Sequence, residues 1–60
     1  MSEKASRFEM INTIVKDLRS VAQKCETGAD DCFDEELSEH LQEAGIILSS
    51  LASVLDEYNQ

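Results

Sequence analysis

The second half of the chain carries an unbroken alternation of threes and fours. Leu37, Leu41, Ala44, Leu48, Leu51, Leu55 and Tyr58 follow one another at heptad a and d spacing, and no proline interrupts the chain anywhere. Only an α-helix repeats with that period. Phe8, Ile11, Val15, Leu18, Ala22 and Cys25 repeat the pattern in the first half. Two helices with matching seams predict a hairpin. Between them lies Thr27-Gly28-Ala29-Asp30-Asp31, where Gly28 suits a left-handed residue closing the first helix and either Asp suits an N-cap for the second. The expected all-α fold is therefore an antiparallel hairpin forming one domain, with helix one at about 3–26, a turn at 27–30 and helix two at about 31–58. The first helix has two candidate caps: Ser6, which opens the capping-box pattern Ser6-Arg7-Phe8-Glu9, and Ser2.

Sixty residues leave no room for a deep pocket or a crossover fold. At 42% hydrophobic residues the chain is too apolar and too regular for a disordered acidic tail, yet domains of this size often need a disulfide, a metal or self-association. The sequence points to self-association. Ile14, Val21, Phe33, Ile47 and Val54 fall beside the seams and widen each apolar stripe to about three-sevenths of the helix, as expected for a helix with more than one neighbour. A lone hairpin gives each helix one neighbour, whereas two hairpins paired as a four-helix bundle give two. Phe8, Ile11, Val15, Leu18, Leu41, Leu48, Leu51 and Leu55 are the expected core of that homodimer.

Ala44 through Leu55 contains no charge, so this part of helix two should be covered on most sides. Ser38, Gly45 and Ala52 recur every seven residues within or beside it. They either let another helix approach closely or avoid clashes inside the hairpin. Ile46, opposite the seam, and Met10 are further candidate contacts for a partner.

Charge is divided unevenly. All five basic residues lie in 1–26 with four acids, while 27–60 holds nine acids and no Lys or Arg; the net charge is −8. Asp31, Glu35, Glu39 and Glu43 follow at i,i+4 spacing, where like charges destabilise a helix by about 0.2–0.5 kcal/mol per pair. Such a strip is expected either to face a basic protein surface or to serve as a solvated face that maintains solubility. Direct nucleic-acid binding is not expected, because Lys4, Arg7, Lys16, Arg19 and Lys24 are scattered among acids and gather on no one face.

Little catalytic chemistry is present. Ser49, Ser50 and Ser53 have no second histidine to serve them, and carboxylates without a pocket have nothing to act on. No cofactor is expected. Cys25, Cys32 and His40 lack a fourth ligand at zinc-like spacing, so no metal is expected either. Cys25 and Cys32 flank the turn: a disulfide there would staple the hairpin, and reduced thiols, with Cys25 in the core, are the alternative. His40 falls beside the seam, four residues from Glu36. The start Met1-Ser2-Glu3-Lys4 leads into polar sequence without an apolar stretch, Ser2 stands where myristoylation needs Gly, and no run reaches the roughly 20 apolar residues of a membrane span. A cytoplasmic protein is expected.

The heptad phase over most of the chain, with Cys25 at a core position and a turn at Thr27-Gly28-Ala29-Asp30, resembles the Rop class of plasmid regulators. That resemblance implies a hairpin dimerising into an antiparallel four-helix bundle. The stretch from Cys32 through Leu55 is similar to the small helical-hairpin chaperones of type III secretion needle subunits, which implies an apolar face shielding a partner helix. The leading expectation is a small acidic non-enzymatic regulator or inhibitor, bacterial or phage, acting through its acidic helix face. The alternatives are a co-chaperone or small subunit and a Rop-like bundle regulator.

Overall fold

The computed structural model describes the backbone of residues 3–60 and side-chain surroundings from Ser6 onward. It is all-helical: α1 spans Glu3–Asp31 and α2 spans Glu35–Glu57, packed against each other as an antiparallel hairpin. Ser6 lies within α1 and does not cap it. The alternative cap at Ser2 lies outside the described residues.

The joint is later and shorter than the sequence suggests. Helix α1 continues through Thr27 and Gly28 to Asp31, and no glycine has positive φ, so Gly28 is an ordinary helical residue. Cys32, Phe33 and Asp34 make the connection. Neither Asp30 nor Asp31 caps α2; Asp34 does, its Oδ1 accepting from the Leu37 N–H at 3.1 Å. Glu35 and Glu36 then occupy the first turn, where the helix dipole favours acids. Packing explains the extension. The additional turn buries Ala29 and brings its carbonyl, one of the last four in α1 without a helical partner, within 2.9 Å of the donating Ser38 hydroxyl. The Cys32 N–H donates to the same carbonyl at 3.4 Å, so a backbone turn and a side chain of α2 together close the end that glycine was expected to close.

The two helices meet along small residues. Ala52 is fully buried against Ile11 and Val15, with Leu18 and Leu55 packed alongside. Gly45 is buried against Ala22: a Cβ at Gly45 would stand 3.2 Å from the Ala22 carbonyl oxygen and 3.2 Å from Glu26 Cγ. At the open end the Asn59 side-chain amide donates to the Phe8 carbonyl at 3.1 Å. The levels of the hairpin are therefore Phe8 with Asn59, Val15 with Ala52, Ala22 with Gly45 and Ala29 with Ser38, one every seven residues on each helix. The small stripe Ser38, Gly45, Ala52 faces α1, which settles its role in favour of close packing within the hairpin.

The result is a rod of 49 × 15 × 11 Å with a radius of gyration of 14.4 Å. A globular chain of this length has a radius of gyration of about 10 Å. Its accessible surface is 4798 Å², against about 3,900 Å² for a folded monomer of equal mass. Among the described residues no helix is long and apolar enough to cross a membrane.

Candidate interaction surface

Because small residues fill the contact, the large apolar residues of α2 are left outside it. The seam Leu37, Leu41, Ala44, Leu48, Leu51, Leu55, Tyr58 points obliquely. Leu41, Leu48 and Leu55 lean toward α1 and are half-buried, while Leu37, Leu51 and Tyr58 turn away and are exposed. Beyond them lie Ile47 and Val54, also exposed, in the same heptad column as the exposed His40. On α1, Ile11 and Val15 are inside the hairpin at 7% and 6% exposure, and Leu18 is half-buried. Ile14 and Val21 flank that buried line on one side and remain exposed.

The exposed columns of the two helices lie on the same side of the rod. Arg7 shares the heptad column of Ile14 and Val21, and Tyr58 shares that of Leu37 and Leu51. The Arg7 guanidinium stands over the Tyr58 ring, 5.9 Å from its centroid, across the open end of the hairpin. One continuous apolar face is thereby defined by Ile14, Val21, Leu37, Ile47, Leu51 and Val54. Of the eight residues expected to form the dimer core, Ile11 and Val15 are consumed within the hairpin and Leu51 lies on the open face. Leu18, Leu41, Leu48 and Leu55 sit between the two. Phe8 continues the Val15–Ala22 column, about 20° from Val15, but lies level with Asn59, past the end of α2, and is exposed there.

At the tip, Phe33 is 103% exposed. It precedes the cap Asp34, where an apolar residue commonly packs on the fourth helical residue; that position is Ser38, already committed to Ala29. Phe33 has no apolar neighbour to staple to.

The acidic line is reorganised. Asp31 ends α1, so it does not share a helix with Glu35, Glu39 and Glu43, which continue along α2; all four are exposed. Only two like-charge i,i+4 pairs remain, and one begins in the first turn where the dipole offsets part of the repulsion. The fold gathers acids from both helices and the connection at the loop end. Glu26, Asp30, Asp31, Asp34, Glu35, Glu36, Glu39 and Glu43 are all exposed there. On the side away from the apolar face, Glu26 and Asp30 of α1 line an open groove of about 340 Å³ with Gln42 and Ile46 of α2. Seven of these eight lie within residues 30–43 and are legible as an acidic run along the sequence; the register of the hairpin adds Glu26 and sets it with Asp30 across from α2.

Cys25 and Cys32 are free thiols, both half-buried, and Cys25 Cβ lies 3.7 Å from a Cβ built on Gly45. The Cys32 thiol points to the Asp34 carbonyl at 3.5 Å. Among the described residues no three His, Cys, Asp or Glu side chains converge to hold a metal ion. No family model, curated protein or solved structure matches the chain.

Proposed function

We propose that the protein is a non-enzymatic interaction protein, a hairpin that pairs with a second copy of itself through the open apolar face and offers its acidic loop end to a basic protein. The observation that carries this reading is the apolar face left outside a small-residue seam. Fully burying a Leu, Ile or Val is worth about 1.5–3 kcal/mol, and the half-exposed Ile14, Val21, Leu37, Ile47, Leu51 and Val54 leave much of that unrealised in a lone hairpin. Pairing into a four-helix bundle recovers it. The surface in excess of a folded monomer, about 900 Å², is close to the roughly 800 Å² per partner of a standard stable interface.

With the apolar face occupied, the loop end remains for other partners. Its exposed carboxylates outside the columns that border that face, among them Glu26, Asp30, Asp34, Glu35 and Glu39, would attract a basic protein and bind it in a salt-dependent way.

Mass in solution by light scattering, over a range of concentrations and with reductant present, tests the pairing. A dimer is expected. A loosely folded monomer would overturn it and favour the co-chaperone reading, in which the same face covers a partner helix and binding is insensitive to salt. Replacing Glu35 and Glu39 together by Gln, which leaves the Glu43 column beside the apolar face intact, tests the acidic end: the dimer should persist while a basic partner is lost.

A further inference from the structure

We infer that the second copy docks with its α1 against α2 of the first and with both loops at the same end. This rests on the pairing proposed above and concerns its arrangement.

Two hairpins can bring their apolar faces together in two symmetric ways. A two-fold axis along the rod lays α1 on the partner's α2, whereas an axis across the rod lays α1 on α1 and α2 on α2. The edge of the apolar face decides between them. On α2 the heptad column bordering Ile47 and Val54 on its outer side is Glu36, Glu43, Ser50 and Glu57, all exposed. Packing α2 on α2 would line three carboxylates of each copy along one seam, and α2 contains no Lys or Arg to offset them. On α1 the corresponding column is Met10, Asp17, Lys24 and Asp31, and Arg7 stands at the end of the face beside Tyr58. Packing α1 on the partner's α2 sets a column of net charge −1, which Arg7 brings to zero, against the acidic one of −3. Like charges facing each other across a seam are repulsive, so the mixed arrangement, which sets the less charged column and Arg7 against the acidic one, is the one the charges favour.

The register of the hairpin makes the arrangement specific. An axis along the rod preserves height, so residues level within one hairpin are also level across the two. Since Ala22 lies opposite Gly45, Val21 stands within one residue in height of the partner's Ile47, and Lys24 stands level with the partner's Glu43. Ile14 is likewise within one residue in height of the partner's Val54. The apolar residues of the open face then meet in layers, and in the bordering columns Lys24 meets the partner's Glu43 while Asp31 stands level with the partner's Glu36 at the loop end.

Cysteine trapping tests this. In a background with Cys25→Ala and Cys32→Ser, the single variants Val21→Cys and Ile47→Cys are refolded separately and as a mixture, then oxidised. Disulfide-linked dimers are expected in the mixture, with little linkage for either variant alone, while light scattering reports dimers throughout. Efficient self-linkage of Ile47→Cys, or a dimer that links in neither setting, would overturn the arrangement and leave the pairing intact. A monomeric mass for the unmodified chain would overturn the pairing itself.

Discussion

The two glycines of this protein occupy helix interiors and have opposite reasons to be there. Gly28 would place a Cβ 3.6 Å from Leu41 Cδ1, an ordinary contact with a movable side chain. Gly28→Ala should therefore add about 0.5–1 kcal/mol, the usual benefit of removing a helical glycine. Gly45 lies 3.2 Å, by the same construction, from a backbone oxygen that cannot step aside without moving α1. Gly45→Ala should forfeit that benefit, and Gly45→Leu should cost about 1–3 kcal/mol through overpacking. Urea unfolding followed by helical circular dichroism, at one protein concentration, compares them. An equal gain for alanine at both positions would mean that the helices part freely at Gly45. The spacing of Ser38, Gly45 and Ala52 was legible in the sequence, but its direction was not, because a heptad column beside a seam can face either neighbour.

At the scale of the elements, both helices and their antiparallel packing were readable from period alone, while the joint was misplaced by about one turn. Gly28 followed by two Asp residues is good local chemistry for a helix end. The chain instead ends α1 at Asp31, where Ala29 is buried and Ser38 reaches back to its carbonyl. The connection consequently depends on two polar side chains, the N-cap Asp34 and Ser38 of α2. Asp34→Ala should destabilise the hairpin by about 1 kcal/mol by removing the N-cap. Ser38→Ala should cost about 0.5–1.5 kcal/mol by removing one hydrogen bond. Their contacts lie on either side of the joint and are four residues apart, so a double-mutant cycle is expected to show coupling beyond the sum of the two. Strict additivity would indicate that the joint is not a cooperative unit.

For the whole molecule, the governing fact is that a two-helix rod cannot enclose its own apolar residues. A helix buried on one side only has half of its stripe covered. Leu51→Glu, at the middle of the open face and 50% exposed, should leave each hairpin helical but shift the light-scattering mass from dimer to monomer. Unchanged mass would place the contact elsewhere. Phe33→Ala, at the fully exposed tip, should alter hairpin stability by less than about 0.5 kcal/mol, since the side chain touches nothing within the chain. A larger loss would show that the tip is covered in solution. The acidic gathering at the loop end belongs to this scale as well: it joins residues such as Glu26 and Asp30 to Gln42 and Ile46, which only the folded register brings together.

The sequence by itself determined that the chain is helical, that it has two helices, and that their apolar stripes are too wide for a single contact. Period and composition are local quantities, and those conclusions depend on nothing else. The tertiary structure decided which columns are used within the hairpin and which are left over. Close approach selects the smallest residues, so Gly45 and Ala52 went to the inner seam, and Leu51, Ile47 and Val54 were displaced to the outside. The same register carried α1 past its apparent stop and broke the acidic line at Asp31. Each of these outcomes follows from one helix meeting another, an interaction between residues distant in sequence that no local pattern encodes.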